Sequence, residues 1–196
     1  ETGARWARRS TTARVVIEVP GWVAVCFNAP DVAISRRGSH ATSHLGPDLC
    51  QPDPDLDAVV VRARTIGPTA RTIGEVVMDQ RVASGIGNVY KSESLHLCRL
   101  DPTTPIPALS DDDLREIFGA AHGLMRANLG LPGQRRTVAD GYAVYRRADR
   151  PCRRCEATIV RIVQGADHPR STYWCPRCQK GPSEAQALAT RQRPAT

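Results

Sequence analysis

Cys152-Arg153-Arg154-Cys155 and, after 19 intervening residues, Cys175-Pro176-Arg177-Cys178 set the architecture of the C-terminal third of this chain. Each CxxC knuckle turns tightly enough to aim two thiolates at one point, and two knuckles at this separation form a four-thiolate zinc site. The residues between them supply a hairpin that returns the chain to the metal. Its arms, Thr158–Val163 and Ser171–Trp174, are rich in β-branched and aromatic residues, and Gly165-Ala166-Asp167-His168-Pro169 is turn material. A redox pair or structural disulfides are the other uses of such cysteines. The paired spacing, in a chain whose start (Glu1-Thr2-Gly3-Ala4-Arg5) has no apolar signal stretch, favours reduced thiols on a metal. With four thiolates there is no open coordination position, so the expected cofactor is one structural Zn²⁺. Arg153, Arg154, Arg177 and Lys180 are placed to offset the formal −2 of that centre. The remaining cysteines, Cys26, Cys50 and Cys98, read as small buried hydrophobes.

Upstream of the ribbon the apolar pattern is helical. Ser110 followed by Asp111–Asp113 predicts a capped helix with an acidic first turn. Leu114, Ile117, Phe118, Ala121, Leu124 and Met125 form its core-facing stripe, and Gly130 is a natural stop. Thr72 with Glu75 three residues on has capping-box spacing, and Ile73, Val76 and Val77 supply an apolar face. Gly85-Ile86-Gly87-Asn88 interrupts this helix. A second helix then runs to about Leu97, with Ile86, Val89, Tyr90 and Leu97 on one side. Glycines between two helices let a backbone approach an anion, and the second helix presents free N–H groups to it. The same glycines also serve a helix-to-helix turn by geometry alone. Val59–Ala63 reads as strand or helix. Thr12–Val19 and Trp22–Phe27 read as a β-hairpin closed at Pro20-Gly21. Asp31–Pro54 reads as loop, Leu131–Arg150 as a short basic connector, and Gln179–Thr196 as a trailing flexible tail. The fold class is α+β. The expected domains are a partial β-domain over 1–56, a helical domain over 57–130, a connector and zinc ribbon over 131–179, and a tail over 180–196.

The chain has 196 residues and a formal net charge of +7, which favours an anionic partner. Its 27 basic residues are 25 Arg and only two Lys, Lys91 and Lys180. No apolar run approaches the roughly 18 residues of a membrane helix, so no membrane partner and a cytoplasmic location are expected, nucleoid-associated if the anionic partner is DNA.

Four stretches together resemble the formamidopyrimidine-DNA glycosylase and endonuclease VIII family. They are Leu45-Gly46-Pro47-Asp48-Leu49, Thr72-Ile73-Gly74-Glu75-Val76-Val77-Met78-Asp79-Gln80, Ser84-Gly85-Ile86-Gly87-Asn88-Val89-Tyr90-Lys91-Ser92-Glu93, and Arg170-Ser171-Thr172-Tyr173-Trp174-Cys175-Pro176-Arg177-Cys178-Gln179. Order and spacing agree from about Val15 to Gln179. The resemblance implies the remnant of a β-sandwich, a helix–two-turn–helix module and a zinc ribbon. It implies a monomer acting on double-stranded DNA that carries an oxidised base or an abasic site, with removal of the base and cleavage of the strand. Asn88 matches the family's phosphate-contacting Asn, with Gly85 and Gly87 beside it, and Arg170 matches the Arg that grips phosphates next to the flipped nucleotide. The short connector and Tyr173-Trp174-Cys175-Pro176 resemble the endonuclease VIII branch, which points to oxidised pyrimidines.

The resemblance also implies an N-terminal Pro nucleophile, an adjacent Glu and a β-domain Lys. None matches a residue here: the chain opens Glu1-Thr2-Gly3, and no Lys precedes Lys91. The expectation is therefore a shortened chain that binds damaged DNA without cutting it. No catalytic residue is assigned, Lys91 being read as solvated or phosphate-facing. The alternative is a non-enzymatic zinc-containing module for distorted or abasic duplex. A ribosomal or topoisomerase-type protein is more remote, given the Arg-Ser-Thr ribbon hairpin.

Overall fold

The computed structural model describes residues 9–29, 32, 42–66, 71–129, 141–166 and 169–181. They fall into two compact units, Glu1–Ser43 and His44–Thr196. In the first, β1 (Ala13–Val19) and β2 (Trp22–Phe27) pair antiparallel as the alternation of Val and Ile predicts. Gly21 turns the chain between them at φ +82°. Val16, Ile17, Val19 and Trp22 are exposed, and no described residue of this unit is buried.

The second unit holds the core. The ambiguous stretch at Val59–Ala63 is helical: α1 (Leu56–Ile66) starts where Asp55 accepts the Ala58 N–H at 2.8 Å, an N-cap contact. Val59, Val60 and Ala63 face inward, while Val61 stays exposed. In α2 (Ile73–Val76) the Glu75 carboxylate accepts the Thr72 N–H and hydroxyl, both at 2.8 Å. The helix expected to run on toward Gly85 is only one turn long. Side chains take over the backbone beyond it. Asp79 accepts the Arg81 N–H at 3.0 Å, and Gln80 both accepts the Gly85 N–H and donates to the Ile86 carbonyl, each at 3.0 Å. Such local bonds compete with helix continuation.

Two further helices follow, α3 (Asn88–Leu97) and α4 (Asp111–Ala127). Ser110 and Asp113 cap α4 reciprocally, the Asp113 N–H reaching Ser110 Oγ at 3.1 Å and the Ser110 N–H reaching Asp113 at 2.7 Å. Leu114, Ile117, Phe118, Ala121 and Met125 are buried as the stripe predicts, and Leu124 is half-buried. The helix ends at Ala127 with Asn128 as its cap; Gly130 lies outside the described residues. The apolar face expected for α3 is not what is buried. Leu97 is exposed and Val89 and Tyr90 are half-buried, whereas Lys91, Ser92, Glu93, Ser94, Leu95 and His96 are all inside. The reason is that α3 packs against both α4 and the ribbon, which cover it on more than one side.

The ribbon strands β3 (Val160–Gln164) and β4 (Arg170–Trp174) pair antiparallel, with Gln164 opposite Arg170 and Val160 opposite Trp174. Glu93 ties α3 to the segment leading into them. Its carboxylate accepts the N–H groups of Ala143, Val144 and Tyr145 at 2.8, 3.0 and 2.9 Å. Residues 131–140 of the expected connector and 182–196 of the expected tail lie outside the described residues. Gln179, read as the start of that tail, is buried. It accepts the Cys175 N–H at 2.9 Å and donates to the Leu100 carbonyl at 2.9 Å. Cys26 is exposed and Cys50 and Cys98 are half-buried, so none is the fully buried hydrophobe expected. A strand pair one layer deep has no interior to bury Cys26.

Candidate nucleic-acid interface and metal centre

The two knuckles bring their four sulfurs together. Cys152, Cys155, Cys175 and Cys178 present Sγ atoms that lie within 4.8 Å of one another. Cys152 and Cys178 are 3.8 Å apart, and Cys155 and Cys175 are 3.5 Å apart. A tetrahedral zinc with sulfur ligands at about 2.3 Å places its sulfurs about 3.8 Å apart, whereas a disulfide needs about 2.05 Å. All four thiols are free, and the set fits one structural zinc with no place for a substrate. Around it, the Arg154 N–H points at Cys152 Sγ at 3.5 Å, and the His96 imidazole lies 3.8 Å from the same sulfur. Burial, then Arg154 and its fellow arginines, push His96 down to about 4, so the ring is neutral at pH 7. Two of the four basic residues expected to balance the centre bond to carbonyls beside it. Arg154 donates to the His96 carbonyl at 3.0 Å and Arg177 to the Cys155 carbonyl at 3.3 Å.

The two glycines before α3 differ. Gly85 sits at φ +100°, and a Cβ there would come within 2.7 Å of Met125 Cε, so the turn itself requires it. Gly87 caps α3 with extended backbone, φ −118° and ψ 179°. Any residue adopts that conformation, and an added Cβ would meet nothing within 4 Å. The turn's geometry therefore explains Gly85 and leaves Gly87 open. Beside it, Asn88 Oδ1 is buried without a hydrogen-bond partner.

A cavity of about 910 Å³ opens between α2, α3 and the ribbon hairpin, lined by Arg71, Gly74, Glu75, Asp79, Gln80, Arg81, Lys91, Gln164 and Arg170 among others. Gln164 of β3 builds its back wall. Its amide donates to Thr72 Oγ1 and to the Pro102 carbonyl, each at 2.9 Å, and accepts from Thr172 at 2.6 Å. Gly74 permits this approach, since a Cβ there would collide with Gln164 Oε1. Asp79 accepts from Arg81 and Arg71, both at 2.7 Å, and these bonds hold its carboxyl far below the usual range. Glu75 is also lowered. Burial works against its ionisation and is outweighed by the Thr72 N–H and hydroxyl and by Arg71.

Of the residues singled out in the sequence, the four cysteines converge on one point. Arg170 lies exposed at the cavity, together with Lys91. Asn88, Gly85 and Gly87 are not in the cavity wall, although Asn88 stands one helical turn from Lys91. Lys91 is not solvated: it is fully buried. Burial, then the neighbouring Arg170, push its ammonium down to about 8, with Glu75 pulling the other way. Gln164 and His96 lie in no motif, and Glu93, although it ends the Ser84–Glu93 stretch, carries no role in the resemblance. The one available signal is their polarity within stretches that lead into apolar packing.

A zinc ribbon docked on a helical core whose glycine-marked helix start and ribbon arginine lie on the same unit defines a helix–two-turn–helix zinc protein. Residues 45–138 match the family model described as the formamidopyrimidine-DNA glycosylase H2TH domain, and residues 150–181 match that of the zinc finger found in FPG and IleRS. The chain is 38% identical over 199 residues to a probable endonuclease 8 2 of Streptomyces coelicolor, covering 98% of this chain and 71% of that protein. It is 34% identical to the DNA-(apurinic or apyrimidinic site) lyase Nei2 of Mycolicibacterium smegmatis, covering 85% of this chain and 66% of that one. Among solved structures, the MutM (Fpg) protein of Thermus thermophilus superposes with a TM-score of 0.65 at 26% identity, over 89% of this chain and 71% of that chain. A Lactococcus lactis Fpg non-covalently bound to DNA containing an abasic site shares the fold, with a TM-score of 0.58 at 23% identity over 72% of this chain and 52% of that one. The chain belongs to the formamidopyrimidine-DNA glycosylase and endonuclease VIII family of DNA-repair glycosylases and abasic-site lyases, and is endonuclease VIII-like.

Proposed function

We propose that this chain grips damaged double-stranded DNA as a monomer, with the start of α3 and the ribbon tip on backbone phosphates beside the damaged nucleotide. It does so in the service of removing oxidised bases, pyrimidines above all. Gly87 is the observation that carries this. It is a glycine that neither its backbone nor its neighbours require, placed where a helix offers free N–H groups to an anion. Arg170 adds a guanidinium fork suited to phosphate oxygens. That a related Fpg binds abasic-site DNA through the same fold supports the choice of partner. The endonuclease 8 relative, matched over 98% of this chain, supports placement in the endonuclease VIII branch, on which the pyrimidine preference rests.

Binding to a duplex with a tetrahydrofuran abasic analogue tests the grip. Tighter binding than to undamaged duplex is expected, falling steeply with salt as counterions are released; equal affinity for both overturns it. Arg170→Ala should weaken binding, and an unchanged affinity removes Arg170 from the site. Thymine-glycol duplex should outcompete 8-oxoguanine duplex, and the reverse order overturns the pyrimidine preference. Lys91 is shielded from solvent, which favours a second reading in which these residues bind without chemistry. Borohydride trapping on abasic DNA separates the two, an adduct on this chain removing the second.

A further inference from the structure

Lys91 is left unexplained by the grip described above. Its ammonium is sealed from water and has no hydrogen-bond partner. An ammonium removed from water without an anion is costly, and a folded chain ordinarily supplies a carboxylate to meet it. The two carboxylates at this cavity are engaged elsewhere. Glu75 is held by the Thr72 N–H and hydroxyl at 2.8 Å, and Asp79 by Arg71 and Arg81 at 2.7 Å. Among the described residues, no ion pair involves Lys91 or Arg170. Two cations therefore face one cavity, Arg170 raising the cost of the Lys91 charge and Glu75, already held by Thr72, offsetting only part of it. The cavity's volume of about 910 Å³ is ample for a phosphodiester and its sugar.

We propose that Lys91 is a second cationic arm on the phosphate gripped by Arg170: a backbone diester of the damaged strand enters this cavity and takes one hydrogen bond from Lys91 Nζ and another from the Arg170 guanidinium. A diester suits the pair, offering two non-bridging oxygens and one negative charge. Arg170 is exposed and has the rotatable bonds to follow the incoming anion. Position 91 is one turn beyond Asn88, so the arm extends the grip of the helix start along the same strand of DNA. The proposal rests on the DNA-binding reading above and adds a residue and a protonation step to it. Because the free chain holds this amine near its titration point, binding takes up a proton as the pH rises toward and past 8. The other charged groups lining the cavity are Arg71, Glu75, Asp79, Arg81 and Arg170; Glu75 and Asp79 are shifted down and Arg81 up, all away from this window.

The test uses the full chain and an abasic-analogue duplex, with single methylphosphonates that neutralise one phosphate at a time around the lesion. Lys91→Met should weaken binding about tenfold, the worth of one charge-assisted contact, and lower the salt slope by about one phosphate. Wild-type affinity should fall between pH 7 and 9, and Lys91→Arg should bind well without that fall. The same methylphosphonate should abolish the effects of both Lys91→Met and Arg170→Ala. Equal affinity and salt slope for wild type and Lys91→Met overturn the proposal, as do two different phosphates answering to the two residues. A borohydride-trapped adduct at Lys91 also overturns it, since the amine would then be a nucleophile. Should Lys91→Met fail to fold, the pH profiles of wild type and Lys91→Arg decide alone, and matching profiles overturn it. Failure of wild type to prefer the abasic duplex would instead sink the DNA-binding reading itself.

Discussion

Helices α3 and α4 lie side by side in one unit and are buried for opposite reasons. α4 presents an apolar stripe to the core, with Leu114, Ile117 and Phe118 inside and its acidic first turn outside. α3 buries six consecutive residues, and of these only Leu95 is a hydrocarbon. Three of its polar side chains join it to other segments. Glu93 holds the segment at 143–145, Ser92 Oγ accepts the Tyr173 N–H at 3.3 Å, and His96 stands against the zinc cysteine Cys152. Lys91 Nζ meets no such partner among the described residues. A helix that only supports the core buries hydrocarbon, whereas a helix that joins three parts of one unit buries polar groups that must each find a partner.

Removing zinc should have the largest effect, since structural zinc supplies about 10–16 kcal/mol of apparent folding energy. Chelation, or Cys175→Ser, is expected to abolish amide protection in β3 and β4 while α4 keeps its own. Protected ribbon amides after metal removal would break the zinc assignment. Phe118→Ala on α4 should cost about 3–5 kcal/mol, read from the denaturation midpoint. A loss below about 1 kcal/mol would mean α4 is not the supporting helix.

Lys91→Met on α3 should do the reverse and stabilise the free chain at pH 7, by up to roughly 3 kcal/mol. Below about pH 8 the amine is charged in both the folded and unfolded chains, so the penalty of burying it is fully present. Between about 8 and 10.5 the folded chain sheds the proton first and the penalty fades. The stability gap between wild type and Lys91→Met should close across that window, and a constant gap would break the contrast. Glu93→Gln should cost about 1–3 kcal/mol, because its amide cannot accept all three N–H groups; hydrogen exchange at residues 143–145 would report the loosening. Gly87→Ala should cost about 0.5–1 kcal/mol, Ala being the poorer N-cap residue, and weaken DNA binding. A stability loss as large as that of Phe118→Ala would return Gly87 to the turn.

Local features are legible in the sequence where neighbouring residues decide them. The knuckle cysteines, the Ser110 cap, the α4 stripe and the two hairpins depend on short spacings and form in the structure, with the ribbon strands shifted to Val160–Gln164 and Arg170–Trp174 and Leu124 of the stripe only half-buried. The length of α2 is not legible, because Asp79 and Gln80 compete for the backbone with contacts that helical periodicity does not encode. The burial of α3 escapes for a different reason. Its apolar residues suggest one face, but α4 and the ribbon cover it from separate directions, and those partners lie far off in sequence. Gln179 reads as tail because composition cannot show that its amide closes two backbone bonds beneath the knuckle.

By itself, the sequence determined the zinc ligands, since residue type and short spacing suffice for them. It showed the family through four joint motifs, and only through that resemblance did it mark Asn88 and Arg170 as residues to face a phosphate. Only the tertiary structure separated Gly85, which the turn needs, from Gly87, which it does not. It alone turned Lys91 from a surface lysine into a buried ammonium beside Arg170. Burial is a property of distant segments brought together, and the free energy of a charge depends on what surrounds it more than on where it stands in the chain.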